Sequence, residues 1–204
     1  VIEEPAILSG NRISQRLIER LVYDIADGVD QLPILQHSLS QVWLAADRGQ
    51  AEMDLIHYAK VGGMPATDLP DEEQAKFKEW CDGLPQLQQK YFKETGLNKV
   101  IEIHASSLYE NAWETYNNKH PQQPITQQEA KRIIALTFSC LTKIDHSRAV
   151  RNRMSLGEIT SIINSSAITP KVISDVLNIY REDGNSFIRP FITEDPTTQN
   201  ISSA

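Results

Sequence analysis

Ser155-Leu156-Gly157-Glu158 with Ile159, Ile162 and Ile163, Thr169-Pro170 with Val172, Ile173, Val176, Leu177 and Tyr180, Asp183-Gly184-Asn185, and Phe187-Ile188-Arg189-Pro190-Phe191-Ile192: this run decides the fold. The first group is a capping box, in which a serine and the glutamate three residues on satisfy the free amides at a helix start, followed by apolar residues at helical spacing. Thr169 is an N-cap with proline in the first helical position, where its missing N–H costs nothing. Asp183 to Asn185 is a turn, and the six residues from Phe187 are the one convincing strand. Upstream, Thr126-Gln127-Gln128-Glu129 is another capping box, before Ile133, Ile134, Thr137, Phe138, Leu141 and Ile144. Three helices, the second and third short, then a turn and a strand, make the order of a winged helix over 121–195. The loop from Asp145 to Met154 is where such a domain places a small strand. Residues 196–204 read as a polar tail.

The earlier part of the chain is helical. Ile13, Leu17, Leu21 and Ile25 recur at four-residue steps, widened by Ile18 and Val22, and predict an amphipathic helix over 12–27 closed by Gly28. Asp30 to Pro33 opens a second helix, carrying Leu35, Leu39, Val42, Trp43 and Ala46 on one face. Asp54 caps a short third helix that Gly62-Gly63 stops. Residues 64–96 are rich in Glu, Gln and Lys, with Phe77 and Trp80, then Leu87, Tyr91 and Phe92, on thin apolar faces; they read as a peripheral helical insertion. Val100, Ile101, His104, Ala105, Leu108, Ala112, Trp113 and Tyr116 follow the helical period from 97 to 117. The fold class is therefore mainly α: a short helical bundle over 1–62, a helical insertion and connecting helix over 63–120, and a winged-helix domain with a small β wing.

Composition limits the function. The 204 residues are 40% hydrophobic and 23% charged, enough to bury a core. No apolar run has the length of a membrane span, and Val1-Ile2-Glu3-Glu4-Pro5 lacks the basic-then-apolar order of a signal peptide, so a cytoplasmic location is expected. The net charge of −7 argues against a surface that coats nucleic acid or anionic membrane. Cys81 and Cys140 are far apart in helical patterns and read as reduced and structural. With no initiating Met, the sequence reads as a segment of a longer protein.

Catalytic motifs are missing: no phosphate loop, no GxSxG, no HExxH. His37, His57, His104, His120 and His146 are too widely spaced to suggest a metal site, and none is assigned. The acid clusters at Glu3-Glu4, Asp71-Glu72-Glu73 and Glu182-Asp183 read as helix ends and solvated surface. One charged group stands out. Lys143, Arg148, Arg151 and Arg153 oppose a single acid, Asp145, and such a cluster can grip phosphate or an adjoining domain. The third winged-helix helix, in contrast, balances Lys171 and Arg181 against Asp175 and Glu182, so it lacks the charge of a DNA reader.

Ile2-Glu3-Glu4-Pro5-Ala6 with Gly10, then Leu32-Pro33-Ile34-Leu35-Gln36-His37-Ser38-Leu39 and Trp43, resemble the region after the ATPase core in bacterial STAND proteins, the signal-transduction NTPases of the novel STAND group. The resemblance continues through Tyr58, Gly62-Gly63, Leu97-Asn98-Lys99, His104, Ala105 and Tyr109 to Arg148, Arg151, Arg153 and Leu156 to Ile159. The Leu-Pro-x-Leu-Gln-His stretch is its most specific piece. The resemblance implies that residues 1–62 are a helical lid following the NTPase core. Leu32 and Pro33 would then be the nucleotide-contacting pair, with proline against adenine.

It further implies ATP or ADP as the cofactor of the parent protein, with none held tightly by this fragment alone, and no catalytic residue within it. The upstream NTPase core, a downstream sensor or repeat domain and further copies of the parent are the implied partners, without membrane and without nucleic acid. The chain departs from the family pattern in two places. Gln31 stands where the generic lid motif has glycine, and no histidine follows His146. Two other readings remain: a winged-helix DNA-binding regulator and a helical adaptor.

Overall fold

The computed structural model describes residues 10–25, 31–146, 148–165, 168–182, 184–185, 187–189 and 201–203. The stretch Ile2 to Ala6, the helix stop at Gly28, Asp30, Asp183 of the turn and Pro190 to Ile192 of the strand lie outside the described residues. The chain divides into two compact units, 1–107 and 108–204.

In the first unit, α1 spans Gln15–Ile25 and α2 spans Leu32–Ala45. Helix α1 starts later than its apolar period because Ile13 pairs as a parallel β-bridge with Met53, with Ser14 N–H donating to the Met53 carbonyl at 2.9 Å. Helix α3, Leu55–Lys60, begins at the Asp54 N-cap, whose carboxylate accepts from the Leu55 amide while His57 Nδ1 accepts from the Asp54 amide. A 3₁₀ turn, Ala66–Asp68, leads to α4, Asp71–Asp82, then α5, Gln86–Gln89, and a second 3₁₀ turn, Lys90–Lys93. Helix α6, Leu97–Lys119, opens within this unit.

One core holds these elements. Leu17, Leu21, Leu35, Val42 and Tyr58 pack in the same cluster as Met64, Leu69, Phe77, Leu97 and Val100. Residues 64–96 are therefore not peripheral: every large apolar side chain of their thin faces that is buried goes into the common core. Burying each is worth roughly 1.5–3 kcal/mol, which a loose surface insertion would forgo.

In the second unit, Leu108, Ala112 and Tyr116 of α6 join α7, Gln127–Cys140, in a core with α8, Leu156–Ile163, and α9, Pro170–Leu177. The predicted caps form. Thr126 and Ser155 each accept from the amide three residues on, at 3.2 Å, while Glu129 and Glu158 reach back at 2.8 Å; Thr169 accepts from the Val172 amide at 3.3 Å. Between α7 and α8 lie β1, Thr142–Asp145, β2, Arg148–Arg151, and the short β3, Arg153–Met154. Strands β1 and β2 form an antiparallel hairpin turning at His146, whose φ is +46°.

Strand β4, Ile188–Arg189, falls within the predicted strand, and a further strand, β5, Ile201–Ser203, lies in the stretch read as a polar tail. The tail reading is corrected there. Strand β5 sits at the centre of a three-stranded antiparallel sheet in the order β3-β5-β4, pairing Met154 with Ile201 and Arg189 with Ser202. Only Ile201 carries an apolar signal, and it is 1% exposed, so the strand exists because two partners flank it.

Gly62 and Gly63 do more than end α3. Gly62 has φ +83°, and a Cβ on Gly63 would lie 1.8 Å from the Tyr58 ring. Tyr58 is fully buried and its hydroxyl donates to Asp24 at 2.9 Å, so the ring cannot yield. Gly63→Ala is expected to cost about 2–3 kcal/mol, read as a lower urea midpoint; an unchanged midpoint would show that Tyr58 moves freely.

Candidate functional site

The N-terminus of α2 carries the first pair of candidate residues. Leu35 is buried and anchors the first turn, while Leu32, at 54% exposure, and Pro33 face solvent. Gln31 at the N-cap has helical dihedrals, φ −84° and ψ −1°, and among the described residues no side chain caps the helix. An exposed apolar pair thus sits beside a helix start whose amides no side chain of the described residues caps, a surface suited to a flat apolar group next to polar acceptors.

The arginine group is spread over two sheets. In the hairpin, position 148 is paired with Asp145 and position 151 with Thr142, so the two positions fall on opposite faces of the ribbon. Arg153 belongs to β3, paired with Ser202. Arg151 and Arg153 are exposed, as is every residue of β1, including Ile144 at 74%. Asp145 is met by the neighbouring His146 at 2.8 Å. A single phosphate would engage part of this set at one time.

Two polar networks brace the first unit. The Arg16 guanidinium pairs with both oxygens of Asp54 and donates to Glu73 at 2.5 Å, and Ser14 Oγ donates to Asp54 at 2.6 Å. Arg20 joins Asp24 at 3.0 Å to Asp68 at 2.7 Å, with Tyr58 completing the set. Burial alone would raise the Asp54 carboxyl, but hydrogen bonds from Arg16, Ser14 and the Leu55 amide outweigh it and hold the group below its ordinary value. Burial, then the Asp24 charge, keeps the Tyr58 hydroxyl protonated as a donor.

His37 of α2 and His104 of α6 meet at 3.1 Å between ring nitrogens. Burial lowers His37, which favours its neutral form. Near them a cleft of about 190 Å³ is walled by Trp80, Leu84, Phe92 and Ile103, with Lys60 and His104 at its polar side. The described residues contain no cluster of His, Cys, Asp and Glu that could hold a metal ion, and no described helix is long and apolar enough to cross a membrane.

The Leu-Pro-x-Leu-Gln-His stretch therefore lies along α2, from the exposed pair at its start to the buried contact of His37 with α6. Residues 1–94 match the family model described as novel STAND NTPase 1. The chain resembles novel STAND NTPases over this region, and the match runs through residues 64–94, as the shared core does. No curated protein and no solved structure matches the chain.

Sequence reading missed the contribution of Glu73 and Asp68, which look like solvated acids until α1 is placed against them. It also set Trp80 and Phe92 aside as a thin face. Their aromatic clustering over a short span was the available signal.

Neutral His37 makes stability depend on pH. Because its folded value lies below the ordinary 6.5, the contribution is complete above the unfolded value and is lost as pH falls from there toward the folded value. His57, lowered by burial and by Lys60, acts in the same direction. The urea midpoint is expected to fall between about pH 7 and pH 5, and His37→Gln to lessen that fall; a variant with the parent slope would exclude His37 as its source.

Proposed function

We propose that the chain is a regulatory, non-catalytic part of a STAND-type signalling ATPase, with a helical lid in the first unit and a winged helix from α7 to β5. The family match over residues 1–94 carries this reading. Supporting it, α2 presents Leu32 and Pro33 to solvent at a helix start that no side chain of the described residues caps, where adenine could pack against proline and the nucleotide's polar atoms could approach the first-turn amides. The element order α7, β1, β2, β3, α8, α9, β4, β5, in which the hairpin β1–β2 stands apart and β3, β5 and β4 form a sheet with the last strand central, supports the winged-helix assignment.

In mechanism, lid and winged helix would clasp ADP in a resting state and be released on exchange for ATP, exposing surfaces through which the parent protein self-associates. Such a change needs contacts that differ between the two states. Pro33 would supply one at the base, and Arg148, Arg151 and Arg153 others at phosphate or an adjoining domain. The reading assigns cytoplasmic signalling to the parent protein, ATP and ADP as its ligands, and no catalytic residue to this chain.

The alternative of a DNA-binding winged helix has less support. On α9, Lys171 is already paired with Asp175 at 3.1 Å, and Arg181, just past the 3₁₀ turn Asn178–Tyr180 that follows the helix, is only 3% exposed. A helix so neutralised offers little to a phosphate backbone.

Titration of fluorescent ADP against the chain extended upstream through the expected NTPase core tests the lid. Pro33→Ala is expected to weaken binding about tenfold, or ~1.4 kcal/mol. Equal affinity for both proteins would remove Pro33 from the site, and failure of both to bind would overturn the ATPase reading.

A further inference from the structure

We propose that the cleft among α2, α3, α4 and α6 is a binding site for a small planar aromatic anion. It lies wholly in the first unit and away from Leu32 and Pro33: its α2 residue, Gln41, is ~12 Å farther along the helix axis at 1.5 Å per residue.

The size and walls select the ligand. A volume of about 190 Å³ exceeds the roughly 150 Å³ that accommodates benzene in an apolar cavity, but is below the roughly 300 Å³ at which pockets for larger ligands begin. It suits one ring or a fused pair. The walls are a fixed aromatic corner, because Trp80 meets Phe92 edge-on at 5.3 Å and Phe77 at 5.4 Å, and all three belong to or pack on the unit's core. Leu84 and Ile103 close the apolar side. A flat ring fits such a corner with little rearrangement.

Charge selects the sign. The Lys60 ammonium lies 5.5 Å from the Trp80 centroid, and the salt bridges formed among the described residues do not include it. It stands at the rim of an apolar well where a carboxylate would be its natural partner. His57, one turn before it, is held toward its neutral form by burial and by the lysine itself, so it does not compete as a cation. The well adjoins a second, more polar cleft of about 270 Å³ that shares Tyr91 and Ile103 with it and gathers Lys90, Lys93 and Lys99 against Glu94 and Glu102. Lys99 there pairs with Glu94 at 3.0 Å and Glu102 at 2.8 Å, so Lys90 and Lys93 add to the positive charge beside Lys60, and a ring bearing an acidic group is favoured over one bearing an amine.

Calorimetric titration of the 204-residue chain with indole-3-acetate and, separately, tryptamine tests the site, with the indole N–H signals of the ¹⁵N-labelled protein as a second readout. Indole-3-acetate is expected to bind saturably, to shift the Trp80 signal, and to bind about tenfold more tightly than tryptamine. Lys60→Gln should erase the difference between the two probes, and Leu84→Trp, which fills the well, should abolish binding of both. Lys60 is partly exposed and bonds no core residue, so its variant remains informative should the Leu84 variant fail to fold. The proposal is overturned by any of three results: no saturation by indole-3-acetate up to ~10 mM, equal affinity for the two probes, or a Trp80 signal that stays still while others move.

Discussion

A single guanidinium ties together three parts of the chain that are far apart in sequence. Arg16, on α1, holds Asp54 at the start of α3 and Glu73 in the first turn of α4. Asp54 is simultaneously the cap of α3, so the ion pair and the helix start share one carboxylate. Both partners are partly exposed, so solvent weakens the Coulombic attraction. The contribution lies in geometry. Once α1, α3 and α4 are held, Leu17, Leu21, Tyr58 and Phe77 meet in one core, and Tyr58 then leaves no room for anything but glycine at position 63.

The second unit depends on a different device. Its helices begin at side-chain caps that satisfy free amides locally, and its sheet is assembled from three short pieces of chain widely separated in sequence. The hairpin β1–β2 stands outside that sheet and is exposed along the whole of β1. Lys143 and Arg151 are exposed there, and the pairing register divides positions 148 and 151 between the faces of the ribbon. Contact with one flat anionic surface would therefore use one face of the ribbon.

These two arrangements bear on function together. The family match and the exposed start of α2 supply the basis for a nucleotide-linked lid, while the aromatic corner at Trp80 belongs to the elements packed on the same core. A ligand seated at Trp80 and Lys60 would contact α2 through Gln41 and α6 through Ile103, the helices that His37 and His104 already join.

Local patterns made much of this legible. Helices α1, α2, α6, α7, α8 and α9 follow from apolar spacing, and the caps at Asp54, Thr126, Ser155 and Thr169 follow from residue type, because capping is settled within three or four residues of chain. That Pro33 stands in the first turn of α2 was readable for the same reason. Tertiary structure alone decided the rest. Residues 64–96 look peripheral by composition, yet Met64, Leu69 and Phe77 enter the core, since a thin apolar face suffices when another element covers it. Ile201 to Ser203 has almost no strand signal and becomes the central strand, because β pairing is a property of the two neighbours as much as of the segment. The cleft at Trp80 likewise exists only where α2, α3, α4 and α6 come together, and no spacing along the chain encodes a cavity.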